Sequence, residues 1–312
     1  MFKLQSLATM AGLVMLFALV ANALFGLFGA LLVLVIAAAL NWFSMRNAAC
    51  LILRLHRARP LERWETPQIL ELTERLAARA RIPVPRLMVY PSATPNAFAL
   101  GLGEAGVVAL STRLLQLLDL REAAGVIAHE LAHLKNRDGR LNLAAGLFVR
   151  AISTASQFLG ISLILIWLAG SMEMIDAEAL PHLLLVVGAP TAAGLLHAAL
   201  MRTRERLADR DAAALTGDAR GLASALHKLQ RYGEYLDRWH RRFRFIYTAD
   251  RERGPRLLHT HPPTAERVRE LLQLEEGGSG QLDRAMKMPV RQIRPAASNP
   301  GRGWGGGWRL AG

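Results

Sequence analysis

Between Leu7 and Phe43 the chain carries no charged side chain, and this block restricts what the sequence can fold into. A helix crossing the hydrocarbon core of a bilayer needs roughly 20 mostly apolar residues, so the block is long enough for two short spans. Asn22, Gly26 and Gly29 supply its only turn chemistry, which predicts a tight hairpin turning within 22–29; one long tilted helix is the competing arrangement. The apolar run follows Lys3 but continues well past a signal-peptide core of about 7–15 residues, so the N-terminus is expected to stay in the mature protein.

Two later apolar stretches predict spans three and four at 147–168 and 180–201, the last interrupted by Pro190. The net charge of +13 would suit a nucleic-acid binder, yet the arginines cluster beside the spans and no aromatic-basic module accompanies them. Arg46, Arg54, Arg57 and Arg59 follow the first block and Arg202, Arg204 and Arg206 follow the last, while the loop holding Glu173, Asp176 and Glu178 carries no Lys or Arg. The positive-inside rule then turns that loop outward and puts both termini and the intervening soluble parts in the cytoplasm, with lipid rather than nucleic acid as partner.

The soluble parts read as mixed α and β. Thr66-Pro67 opens a helix reaching about Ala80, ended by Pro83 and Pro85. Arg86 to Tyr90, Asn96 to Leu100 and Gly106 to Ala109 read as short strands, and Ser111 caps a short helix. Asp119 begins a stronger helix containing His129-Glu130-Leu131-Ala132-His133. Further helices are expected at 221–235 and 263–274, and the Gly-rich tail from Glu275 with Trp304 and Trp308 reads as disordered.

Cys50 is the sole cysteine, which excludes an intrachain disulfide and a cysteine-based metal site. Histidines four apart on a helix share one face, so His129 and His133 can bind one metal ion, and Glu130 beside them suits a general base acting on attacking water. The surrounding helix is apolar, which would make two buried imidazoles and a carboxylate costly without a partner. A catalytic zinc ion needs a third protein ligand. Glu205 fits best, because Asp209 four residues on shares its face and can hold a ligand histidine by its other ring nitrogen; His197 and His182 are the weaker alternatives.

HELAHLKNRD at 129–138, RTRERLADRDAAALTG at 202–217, PNAFALG at 95–101 and THPPTAERV at 260–268 resemble the HtpX family over residues 5–274. These are membrane-bound gluzincin metalloproteases distantly similar to the CAAX prenyl endopeptidases. The resemblance implies one zinc ion held by His129, His133 and Glu205, Glu130 as base and Asp209 as support behind the ligands. It further implies a substrate-pairing edge strand at Asn96 and Ala97, and His261 as donor to the oxyanion. Asp138 can orient His133 or cap the helix.

The expected architecture is a mainly α integral membrane protein with four transmembrane helices and a cytoplasmic α+β zincin-type catalytic domain with a small sheet. Its divisions are a hairpin at 1–45, a first catalytic part at 46–146, spans at 147–201, a second catalytic part at 202–275 and a tail at 276–312. The resemblance implies a prokaryotic inner-membrane endopeptidase that cleaves unfolded or damaged membrane proteins in stress-related quality control. A zinc-stabilised scaffold or chaperone is the alternative, and it would have no use for an unligated Glu130; a processor of lipidated peptides would be expected to have more spans.

Overall fold

The computed structural model describes residues 2–101, 106–168, 180–242 and 262–277. The first element, α1 (Phe2–Leu55), is interrupted at Gly26, whose φ of 66° and ψ of −178° lie outside helical space. Only glycine adopts such a backbone readily. A straight helix of 54 residues would hold its ends about 80 Å apart. Instead, the ring of Phe2 lies 4.4 Å beneath the Arg210 guanidinium, and Leu53 packs on the sheet through Met88, Tyr90 and Val107. Both ends thus meet one globular unit, whose radius is expected to be only ~15–20 Å. The chain doubles back at Gly26, inside the expected turn window.

The sheet contains β1 (Arg59–Pro60), β2 (Arg86–Tyr90), β3 (Ala97–Leu100) and β4 (Val107–Ser111) in the order β1-β2-β4-β3. β2 and β4 run parallel, and the other two pairs are antiparallel. The central β4 is buried along its whole length, as a continuous apolar strand should be. One face packs on α2 (Pro67–Ala80) and α4 (Leu120–Asn136) through Ile69, Leu76, Leu110, Ile127 and Leu131; the other takes Leu53 and Ala58 from the end of α1. β1 was not anticipated, since two residues carry no alternation. α2 ends at Arg81, in left-handed geometry (φ 57°), before the prolines expected to stop it.

After α3 (Thr112–Leu117), α4 starts in a capping box: the Asp119 carboxylate accepts from Glu122 N–H (2.9 Å), and the Glu122 carboxylate accepts from Asp119 N–H (3.0 Å). Arg137, at φ 55°, ends it, and α5 (Asp138–Leu168) begins at once. α6 (Leu180–Thr216) runs continuously from the apolar segment into the globular unit. Pro190 cannot donate to the Val186 carbonyl; the Ser156 hydroxyl on α5 does so at 2.6 Å, which leaves no unpaired carbonyl there. The N-terminal half of α1 packs against α5 and α6 through Leu13, Phe17, Val20, Ile152 and Ala193.

α7 (Ala219–Arg242) and α8 (Thr264–Gly277) complete the fold, each longer than its sequence pattern indicated. Among the described residues three stretches are long and apolar enough to cross a membrane, namely Phe2–Leu24, Asp138–Leu165 and Leu183–Thr216. The expected second span falls in the return half of α1, where many side chains lie outside the described residues, as do the loop at 171–178 and the tail from 278.

Gly125 fixes how α4 meets α7: a Cβ there would stand 2.7 Å from Leu222 N and 2.8 Å from its Cα. Backbone cannot yield as a side-chain tip can. Gly125→Ala is expected to cost about 1–3 kcal/mol, read as a lowered thermal midpoint in detergent; an unchanged midpoint would refute the close contact.

Candidate metal centre

His129, Glu130 and His133 are presented by α4, whose opposite side is anchored in the core by Ile127, Ala128 and Leu131. α6 lies against this helix and brings Glu205 to both imidazoles. The Nε2 atoms of His129 and His133 stand 3.1 Å apart, and each lies 3.7 Å from a Glu205 carboxylate oxygen. Tetrahedral ligands bonded at about 2.0–2.1 Å are separated by about 3.3 Å, so this trio fits a metal ion the size of zinc.

Each imidazole is held from behind. His133 Nδ1 lies 2.7 Å from Asp138 Oδ2. His129 Nδ1 lies 3.0 Å from Asp209 Oδ1, bent away from the line of a straight hydrogen bond. A proton on Nδ1 shared with a carboxylate leaves the Nε2 lone pair free for a metal. The carboxylates are paired in turn: the Arg204 guanidinium meets Asp138, with Nε at 2.6 Å, and Arg267 forks onto Asp209 at 2.6 and 2.7 Å while lying 3.3 Å from Glu205. Bidentate Arg-carboxylate geometry is the stronger, more directional form of ion pair.

His129, His133 and Glu205 therefore come together, and Asp209 stands behind the His129 ring. Asp138 proves to be the orienting partner of His133, which the sequence left open. Arg267 was missed: it stands 58 residues from Asp209, and a lone arginine in a helix carries no local signal of a distant partner. His197 lies away from the trio, with Nε2 3.2 Å from Asn142 Oδ1. The side chain of His182, and His261 altogether, fall outside the described residues.

Asn96 and Ala97 lie at the open edge of the sheet. Ser111 N–H donates to the Asn96 carbonyl (2.9 Å), so Asn96 bonds inward and the alternation of an antiparallel ladder turns the N–H and C=O groups of Ala97 and Ala99 outward. Ala97 and Ala99 face the α4 side, whereas Phe98 faces the end of α1.

Residues 63–275 match the family described as Peptidase family M48. The chain belongs to peptidase family M48. Among M48 relatives, a Protease HtpX homolog of Salinibacter ruber is 36% identical over 277 residues, covering 86% of this chain and 97% of that protein. A namesake from Pelotomaculum thermopropionicum is 37% identical with 84% and 95% coverage, and one from Kineococcus radiotolerans 40% identical with 78% and 85%. A crystal structure of S. mikatae Ste24p aligns at TM-score 0.48 and 19% identity, covering 86% of this chain and 64% of that one. With its long apolar helices, the protein is an HtpX-like M48 membrane metalloprotease.

In the metal-free protein burial works against a charged His133, but the Asp138 hydrogen bond and the charges of Glu130, Glu205 and Asp138 outweigh it and push the imidazole up to about 9. A ligand imidazole must be neutral, so metal uptake near neutral pH should expel about one proton, the release fading as pH rises through 9. Titration calorimetry in buffers of differing ionisation enthalpy reads this directly. A binding heat independent of buffer would show His133 already neutral.

Proposed function

We propose that this M48 protein is a zinc-dependent endopeptidase that cleaves unfolded or damaged membrane proteins on the cytoplasmic side of a prokaryotic inner membrane. The observation that carries the reading is the combination of three converging ligand atoms with a fourth group, Glu130, buried beside them and not part of the ligand set. A structural zinc site would close its coordination with four protein ligands.

His129, His133 and Glu205 would hold the ion, which when bound supplies Lewis-acid activation of water and of the scissile carbonyl. Glu130 takes the proton that the attacking water loses as its oxygen bonds to the carbonyl carbon. It then delivers that proton to the amide nitrogen as the C–N bond breaks, giving a carboxylic acid and an amine. Asp138 and Asp209 keep the two imidazoles in the tautomer that binds metal, and Arg204 and Arg267 pair with those carboxylates and aim them. His261, next to the buried Pro262 at the start of the chain into α8, is the proposed donor to the oxyanion.

The outward backbone of Ala97 and Ala99 favours an extended substrate added to the sheet as a further strand, with the Asn96 side chain at its start. Main-chain pairing reads no particular sequence. It requires an unfolded segment, which fits quality control of damaged proteins under stress. The return half of α1 would be the fourth span, completing the sequence-based division at 1–45, 46–146, 147–201 and 202–275 with a tail at 276–312.

Glu130→Gln should reduce cleavage of casein by detergent-purified protein about 10²–10⁴-fold while leaving one zinc bound. Undiminished cleavage would overturn the role of Glu130. Glu205→Ala should lose the metal itself, and full retention would point to another ligand. For orientation, a reporter fused after Glu276 is expected to be active only in the cytoplasm; periplasmic activity would reverse the topology.

A further inference from the structure

A cavity of about 520 Å³ lies where the end of α1 meets the start of β3. His56, Arg57, Tyr90, Ser92, Thr94 and Asn96 line it, and among the described residues no carboxylate does. Its walls are fixed. His56 stands edge-on to the Tyr90 ring at 5.2 Å, and Phe98 closes the trio at 5.3 and 5.4 Å. The Tyr90 hydroxyl donates to the Asn96 carbonyl at 3.4 Å, tying the cavity to the first residue of the edge strand.

The positive charge at this cavity is unspent. A helix C-terminus usually attracts a nearby cation to its free carbonyls. Here three of the last four carbonyls are occupied: Leu53 O accepts from Ala58 N–H, Arg54 O from Arg57 N–H, and Ile52 O from both His56 N–H and His56 Nδ1. Arg57 is held in left-handed geometry by this cap (φ 52°), and its guanidinium has no carboxylate partner among the described residues. Nearby Arg59 and Arg63, by contrast, pair with Glu65 and Glu74.

Strand geometry connects the cavity to the substrate. Side chains of a strand added beside β3 alternate between the two faces of the sheet. Those opposite Ala97 and Ala99 point to the α4 side, and the one opposite Asn96 points to the side of His56 and Tyr90. Burial pushes the Tyr90 phenol up, the bond to Asn96 opposes this, and the charge of Glu130 adds to the rise.

We propose that this cavity is a substrate side-chain subsite, occupied by the residue paired opposite Asn96, and that Arg57 with the hydroxyls of Ser92 and Thr94 makes it select an acidic side chain. The inference rests on the proposed addition of substrate as a strand on β3. It adds one position of charge selection to recognition otherwise made through the main chain.

The test uses full-length protein with zinc in detergent and a set of unstructured fluorogenic peptides, each carrying Glu, Leu or Lys at one position flanking the scissile bond. One position should favour Glu over Lys by about fivefold in kcat/KM, the size of a partly exposed ion pair. Arg57→Glu should invert that preference, and the milder Arg57→Gln should abolish it. Equal cleavage of all three peptides at every position, a preference for Leu, or an acidic preference that survives in both variants would overturn the subsite and leave proteolysis standing. Failure of the wild-type protein to cut any peptide or casein would overturn the proteolytic reading, and the subsite with it.

Discussion

The buried charges around His129 and His133 can share one small volume only because they balance. Glu130, Glu205, Asp138 and Asp209 are all buried acids, and Arg204 and Arg267 neutralise half of that charge. A divalent cation completes the balance with both imidazoles neutral. The Asp138 hydrogen bond and the charges of Glu130, Glu205 and Asp138 push the His133 imidazole up to about 9 against its burial. Metal binding and protonation are thus two answers to one deficit, and breaking a buried pair on one side exposes the charge on the other.

This balance also organises the chain. The histidines belong to α4, Asp138 opens α5, Arg204, Glu205 and Asp209 sit on α6, and Arg267 comes from α8. An apolar excursion separates Asp138 from Arg204, yet they meet in a buried ion pair. The left-handed turn at Arg137 makes this possible: it ends α4 one residue before Asp138, so the carboxylate that starts the next helix turns back onto the His133 ring. Continuity of α6 through Pro190 then carries Glu205 out of the apolar segment on a rigid element, with Ser156 satisfying the carbonyl that the proline leaves open.

Much of this was legible in the sequence, for local reasons. Helical spacing alone put His129 with His133 and Glu205 with Asp209, and turn chemistry alone confined the hairpin to a window containing Gly26. What escaped depended on distance or on geometry without a residue signature. Arg267 and Arg204 act across the fold, β1 is too short to alternate, and left-handed turns at Arg81 and Arg137 use a residue type that does not favour them. Three of the four strands were found to within two residues, but the face each side chain takes required the ladder register.

The hairpin has a mechanical consequence that follows from where its two ends land. The N-terminal half of α1 lies on α5 and α6, with Phe2 beneath Arg210 one residue beyond Asp209; the far end lies on the sheet through Leu53, beside the aromatic group that reaches Phe98 on β3. One element therefore touches both walls between which an extended chain would lie: the helix carrying Glu205 and the strand offering its open backbone. A force that changed the angle at Gly26 would act on the separation of those walls. Among the described residues nothing lies within 4 Å of where a Cβ would sit at Gly26, while the half-helix before it is held by Val20, Ala23 and Leu24 packed among the residues of α5 and α6.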